Sequence, residues 1–183
     1  MNGTRKGGGG MKKLDNRGFS LAELMVVVVI IGILSSVASA SINQIFSNQT
    51  RKFINDCDAM LTRCRVETLS GAPAGTCVEL RCDSNGKYYV ALYKGAGNMI
   101  EEEQLKRSSD TCAYKIGNGD PVGLETGDSL QISYDRTTGE MSLNSYDNGA
   151  ISPNPVTGTE IQLVVGNSKI TLVPATGYHK VGG

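Results

Sequence analysis

The sequence predicts an α+β fold in which one long N-terminal helix packs on an antiparallel β-sheet. Two observations lead to this prediction. Apolar residues recur at helical spacing up to about residue 70, and the rest of the chain alternates short apolar segments with turn residues. A chain of 183 residues with 39% hydrophobic residues, 23 glycines and no tryptophan has room for one small core. This composition argues against a large enzyme interior.

The first part of the predicted helix, residues 19–40, reads FSLAELMVVVVIIGILSSVASA and carries a single charge, Glu23. As a helix it would extend about 33 Å, enough to cross the hydrocarbon core of a membrane. The basic residues just before it should stay on the cytoplasmic side. A secretory signal peptide is the alternative, because SSVASA at 35–40 resembles its cleavage site. The internal glutamate and the continuing helical pattern argue against that alternative.

Glu23 is the most informative residue of this segment. An ionisable group in the apolar layer of a membrane costs about 2.5–3.5 kcal/mol on insertion scales, so it implies a partner. A cut between Gly18 and Phe19 would create that partner, because the new amine of Phe19 would be cationic. Within one chain, a carboxylate in the first helical turn also favours the positive end of the helix. Between staggered chains, Glu23 could neutralise the amine of a neighbour and so fix the axial register of a bundle.

The residues KKLDNRGFSLAELMVVVVIIGIL at 12–34 resemble the class III signal of type IV prepilins and type II secretion pseudopilins. In that family a membrane aspartic peptidase cuts after the glycine and N-methylates the following phenylalanine. The resemblance therefore implies cleavage after Gly18, methylation of Phe19 and an assembly role for Glu23. Gly32 occupies a glycine position that is common in this stretch, and it is expected to serve helix packing. An ordinary signal anchor with a chance glutamate is the alternative interpretation.

The resemblance makes residues 1–18 a leader peptide. Met11 begins MKKLDNRG, an eight-residue leader of the usual family kind. We hypothesise that residues 1–10 are a mis-annotated translation of sequence upstream of the true start. A peptide containing Thr4 or Lys6 in unprocessed protein would contradict this hypothesis.

Beyond the apolar segment, residues 41–70 are predicted to continue the helix in amphipathic form. Their apolar stripe has spacings of three and four and consists of Ile42, Ile45, Phe46, Phe53, Ile54, Cys57, Met60, Leu61 and Cys64. SGAPAG at 70–75 should end the helix. A membrane anchor followed by a separate soluble domain would instead show a polar linker near 41–56, and the sequence has none there.

Residues 71–183 are predicted to form a β-rich head. Three predicted hairpins flank turn residues: 76–82 with 87–93, 129–135 with 140–146, and 160–166 with 169–181. NMIEEEQLKR at 98–107 is instead predicted to be a short surface helix whose glutamates face solvent. The strands would form an antiparallel sheet of four to six members.

Five cysteines are candidates for disulfides. Cys57 and Cys64 share a helix face but lie about 10 Å apart along it, too far to bond each other. Cys77 and Cys82 point to opposite faces of a regular strand. Any bridge, with Cys112 as the fifth cysteine, must therefore link helix to sheet or strand to strand and leave at least one thiol. An outward location permits disulfides, whereas an anaerobic host would leave buried thiols, so the connectivity stays open.

Enzymatic function is not predicted, and neither is a cofactor or a metal. His179 is the only histidine and lies near the C-terminus, where we expect a mobile tail. Ser-His-Asp or Cys-His catalysis needs a rigidly held imidazole. Four acidic residues are expected to be solvated rather than to bind calcium: Asp110, Asp120, Asp128 and Asp135. From residue 19 onward 13 basic residues stand against 17 acidic ones, so specific nucleic-acid binding is not expected.

The sequence thus predicts a structural subunit that polymerises through its N-terminal helix into a type IV pilus-like filament for adhesion or twitching motility. The resemblance implies four kinds of partner: other copies of the chain, the prepilin peptidase and N-methyltransferase, an assembly ATPase, and a platform membrane protein. The precursor would cross the cytoplasmic membrane once, with its C-terminus outside, before joining a surface filament. The alternatives are a pseudopilin of a type II secretion or DNA-uptake machine, and a membrane-anchored binding domain that never polymerises.

Overall fold

The computed structural model describes residues 20–106, 109–148 and 154–182, apart from the side chains of residues 37–47. The chain divides into two compact units, residues 1–42 and residues 43–183. The predicted leader at 1–18, including Gly18, and the predicted new N-terminus at Phe19 lie outside the described residues.

One helix, α1, spans Leu21–Leu69. It ends close to the predicted stop, and the backbone geometry there explains why. The Gly71 N–H donates to the Thr68 carbonyl over 3.1 Å, and the Ala72 N–H donates to the Glu67 carbonyl over 2.9 Å. This pattern is the Schellman motif, which needs a residue in the left-handed region after the helix. Gly71 supplies that residue with a φ of +95°.

Eleven strands and one short 3₁₀-helix follow α1 in the described part of the chain. The strands are β1 Cys77–Cys82, β2 Tyr88–Tyr93, β3 Met99–Gln104, β4 Cys112–Ile116, β5 Val122–Gly123, β6 Ser129–Tyr134, β7 Met141–Tyr146, β8 Asn154–Pro155, β9 Ile161–Val165, β10 Ser168–Val173 and β11 Tyr178–Gly182. The 3₁₀-helix, Pro174–Thr176, lies between β10 and β11.

These strands form two antiparallel sheets, whereas the sequence predicted one. The first has the order β3-β2-β1-β6-β7-β8, and the second has the order β11-β10-β9-β4-β5. The predicted hairpins are present as the antiparallel pairs β1–β2, β6–β7 and β9–β10. The segment 169–181 was expected to be one strand. It is broken into β10 and β11, because Pro174 lacks an N–H and Gly177 turns the chain with a φ of +64°.

The predicted surface helix at 98–107 is wrong, because β3 occupies most of that range. β3 pairs with β2, and its glutamates meet basic side chains from distant parts of the chain. Lys52 Nζ lies 2.7 Å from Glu103 Oε1, Arg63 Nη1 lies 3.3 Å from Glu101 Oε2, and Arg81 pairs with Glu102. The helical preference of a glutamate run therefore yields to tertiary pairing.

The core of the second unit lies where the later part of α1 meets the inward faces of both sheets. Six helix residues contribute buried side chains to it: Phe53, Ile54, Cys57, Met60, Leu61 and Cys64. These six of the nine predicted stripe positions are confirmed. The positions Ile42, Ile45 and Phe46 fall among the side chains that are not described.

Among the described residues, no helix meets the length and hydropathy expected of a membrane span. The membrane-spanning role predicted for residues 19–40 is therefore not confirmed.

Candidate functional site

Ser20 and Glu23 form a reciprocal pair at the start of α1. The Ser20 backbone N–H donates to Glu23 Oε2 over 2.9 Å, and the Glu23 backbone N–H donates to Ser20 Oγ over 3.2 Å. This is a capping box, in which two backbone donors at a helix start gain side-chain acceptors. No role was predicted for Ser20, although the Ser-x-x-Glu spacing ahead of an apolar run is the known signal for this motif. The pair fixes where α1 begins.

The helix beyond this cap is apolar on every side. Each large apolar side chain from Leu21 to Leu34 is 47–78% exposed. A Cβ placed on Gly32 would meet no atom within 4 Å, so this glycine also faces open space within one chain. Ser35 and Ser36 donate their hydroxyl protons to the carbonyls of Ile31 and Ile33, both over 2.7 Å. Exposed apolar surface of this extent marks an interaction site.

Comparison with known proteins agrees with this geometry. The family model for the prokaryotic N-terminal methylation motif matches residues 13–39. A fimbrial protein of Dichelobacter nodosus is 29% identical over 145 residues, which cover 76% of this chain and 79% of the relative. The chain thus carries the N-terminal methylation motif and is similar to a fimbrial protein. No solved structure matches the chain.

The matched motif includes both the predicted cleavage position and the capping box. Gly18 and Phe19 lie inside the matched range but outside the described residues, so their predicted roles stay predictions. Glu23 is described, and in the unassembled chain its carboxylate is engaged by Ser20 of the same chain.

All five cysteines are free thiols, so no candidate disulfide is formed in this structure. Cys77 is half-buried whereas Cys82 is buried, and the alternating burial along β1 agrees with the predicted opposite faces. Burial raises the pKa of the Cys64 thiol to about 12 and that of the Cys77 thiol to about 11. These thiols are therefore protonated near neutral pH and pack as small apolar groups.

The prediction that His179 lies in a mobile tail is wrong. His179 belongs to β11, where it pairs with Leu172 of β10, and its side chain is 9% exposed. Its Nε2 lies 3.1 Å from Thr62 Oγ1 and 3.6 Å from Asp58 Oδ1. Its Nδ1 lies 3.5 Å from the Tyr134 hydroxyl. The predicted strand at 169–181 already contained His179, and this pattern was the signal against a mobile tail.

A rigid histidine raises the question of catalysis, and the geometry argues against it. In a catalytic triad the acid and the nucleophile occupy opposite nitrogens of the imidazole. Here Asp58 and Thr62 both approach Nε2, and the Thr62 hydroxyl donates its proton to the Asp58 carbonyl over 3.0 Å. Burial raises the pKa of the Tyr134 phenol, which keeps it neutral. The arrangement joins the C-terminal strand to α1 and β6.

The four acidic residues have different environments. Asp135 accepts the N–H groups of Thr137 and Thr138 over 2.7 and 2.8 Å, and these bonds lower its pKa. Asp120 is exposed, as predicted, but Asp110 is buried and hydrogen-bonded to Thr50, so the solvated setting expected for it is wrong.

Asp128 also serves a turn, because it accepts the N–H groups of Glu125 and Asn148. Within the described ranges, no group of three or more His, Cys, Asp or Glu side chains is arranged to hold a metal ion.

Proposed function

We propose that this protein is the structural subunit of a type IV pilus-like filament, polymerised through the first part of α1. The observation that carries the proposal is the apolar surface on all sides of α1 from Leu21 to Leu34, directly after a capped Glu23. A helix that is apolar all round needs to be covered on all sides. Neighbouring copies of the same helix would cover it evenly.

The energetic case for such a bundle rests on burial of these side chains. Moving one Val, Leu, Ile or Met side chain from water into an apolar environment contributes about 1.5–3 kcal/mol. The hydroxyls of Ser35 and Ser36 are already bonded to helix carbonyls, so they can enter an apolar bundle without losing a partner. In the proposed mechanism, the precursor is anchored in the membrane through residues 19–40 and exchanges lipid contacts for helix contacts as it joins the filament.

Glu23 has two successive roles in this mechanism. In the precursor its carboxylate caps its own helix through Ser20. After cleavage between Gly18 and Phe19, the carboxylate pairs with the cationic, methylated amine of Phe19 on a neighbouring subunit. A prepilin peptidase would create that amine, and an assembly ATPase with its platform membrane protein would lift the subunit into the surface filament. The methylation motif at 13–39 and the similarity to a fimbrial protein support this sequence of events.

The test is mass spectrometry of the N-terminal peptide, made in parallel on sheared extracellular material and on membranes. The proposal expects N-methylated Phe19 as a dominant component of the sheared fraction. Processed Phe19 found only in membranes would favour a pseudopilin of a secretion or DNA-uptake machine. An intact leader in both fractions would favour a membrane-anchored binding domain that never polymerises.

A further inference from the structure

Two cysteines that are distant in sequence are buried in the same core. Cys57 on α1 is 4% exposed, and Cys112 at the start of β4 is 0% exposed. Both belong to the continuous cluster of buried side chains between α1 and the two sheets. Cys112 and Ala113 point to opposite faces of β4. The register partner of Cys112 on β9 is the buried Val165, so the Cys112 side chain points to the core.

A hydrogen bond two helical turns from Cys57 and two residues from Cys112 shows that their elements face each other. Thr50 of α1 bonds Asp110, and both residues are buried. Thr50 lies seven residues before Cys57, which is two helical turns and therefore the same helix face. Asp110 lies two residues before Cys112. The helix face that carries Cys57 thus lies over the chain segment that carries Cys112, and a charge on Cys57 would raise the pKa of the Cys112 thiol.

The other three cysteines differ in their surroundings, and a charge on Cys82 would also raise the pKa of the Cys112 thiol. Cys82 is buried at the end of β1, and its thiol donates to the Asp83 carbonyl with a sulfur–oxygen distance of 3.9 Å. Cys77 shares the half-buried face of β1 with Glu79, away from the buried face that Val78 presents to the core. Cys64 lies on the core face of α1, two turns beyond Cys57.

We propose that Cys57 and Cys112 form a disulfide that joins α1 to the second sheet when the head folds in an oxidising compartment. The two thiols lose two protons and two electrons. A disulfide-bearing thiol oxidant accepts them through a mixed disulfide and leaves as its dithiol. Only a thiolate can attack such an oxidant. Burial raises the pKa of both thiols strongly in the folded head, so exchange takes place before the core closes. The proposal rests on the export of the head that the proposed function includes.

The experiment uses the full-length chain purified in detergent, denatured, and refolded in a mixture of reduced and oxidised glutathione. Free thiols are then alkylated in denaturant, and the digested protein is mapped by mass spectrometry. The expected result is a cross-linked pair of peptides containing Cys57 and Cys112, with Cys64, Cys77 and Cys82 alkylated. Alkylation of all five cysteines would overturn the proposal, and so would a cross-link between Cys82 and Cys112.

Two variants serve as controls. Cys57→Ala should leave Cys112 alkylated and abolish the cross-link, whereas Cys64→Ala removes an equally buried thiol and should leave the cross-link intact. Loss of the cross-link in Cys64→Ala would count against the proposal. If Cys57→Ala does not fold, the peptide map of the unsubstituted chain still decides.

Refolding in glutathione does not depend on export, so it separates this proposal from the proposed function. A cross-link that forms on refolding but is missing from chain isolated from cells would support the pairing and contradict the proposed outward location.

Discussion

Gly177 shows how closely two turns of the head approach each other. It has a φ of +64°, and a Cβ placed on it would lie 2.1 Å from the carbonyl oxygen of Gly139. Gly139 itself closes the β6–β7 turn with a φ of +74°. A side chain on Gly177 would therefore have to move the backbone at Gly139, whereas a Cβ on Gly139 would meet only side-chain atoms of Arg65 and Leu69 at 3.9 Å.

We predict that Gly177→Ala destabilises the head more than the matched variant Gly86→Ala. Both glycines have positive φ, which costs an alanine about 1–2 kcal/mol. A Cβ on Gly86 would meet nothing within 4 Å, so only Gly177→Ala adds a collision. Urea unfolding of the two variants measures the difference. Equal losses of unfolding free energy would show that the contact with Gly139 is not rigid.

At the scale of elements, β3 is held against α1 and β1 by ion pairs. Exposed pairs of this kind contribute little individually and weaken with added salt. Glu67 extends the same network, with its carboxylate 3.0 Å from Arg63 Nε and 3.2 Å from Lys94 Nζ. These bonds hold the pKa of Glu67 below its ordinary value of 4.5.

We predict that acid weakens this network. Because the folded pKa of Glu67 is lowered, its contribution to stability is fully present above pH 4.5 and is lost as the pH falls through the folded value. Glu67→Gln should therefore reduce the difference in thermal midpoint between pH 7 and pH 3. Thermal unfolding followed by circular dichroism at both pH values measures this, with Glu140→Gln as an exposed control. An unchanged difference in Glu67→Gln would contradict the prediction.

The elements that sequence reasoning located are those fixed by local signals. Helical spacing and the glycine at residue 71 set the long helix and its end, and the turn residues at 83–86 and 136–139 set two hairpins. β3 was not predicted because Lys52 and Arg63, which pair with its glutamates, lie 51 and 38 residues away in the chain.

The candidate site also has one part that local sequence sets and one part that long-range contacts set. The Ser20–Glu23 cap is a local motif that the spacing contains, although sequence analysis did not use it. The setting of His179 depends on Thr62 and Tyr134, 117 and 45 residues away, and no local pattern encodes such a contact.

At the scale of the whole molecule, Glu23 should matter more for assembly than for processing. We predict that Glu23→Ala is cleaved normally but yields on the order of 100-fold less filament, because each subunit would bury an unpaired amine at a cost of about 3 kcal/mol. Immunoblots of sheared and membrane fractions measure both steps.

The matched control for this prediction is Ser20→Ala. It keeps the carboxylate but removes one bond of the cap, which costs about 1 kcal/mol of helix stability. If Ser20→Ala lowered filament yield as far as Glu23→Ala, capping rather than charge pairing would explain the defect.

Processing is predicted to depend on Gly18. Gly18→Leu should retain the leader, because its side chain would occupy the close backbone approach that a peptidase cleft needs. The mass of the membrane-bound chain distinguishes the precursor from the cleaved form. Gly32→Leu is the control, since that position lies outside the leader and should leave cleavage unchanged. Efficient cleavage of Gly18→Leu would contradict the assignment of the cut.

The edge strands of the first sheet affect whether neighbouring copies of the chain can pair through their sheets. An open strand edge is a template for pairing with another chain, and proteins block it with charges, prolines or very short strands. One edge strand is β3, which has three consecutive glutamates. The other edge strand is β8, which is two residues long and contains Pro155. Heads held side by side at high local concentration would therefore resist edge-to-edge strand pairing into a continuous intermolecular sheet. This resistance to aggregation would keep a crowded fibre surface made of separate folded units.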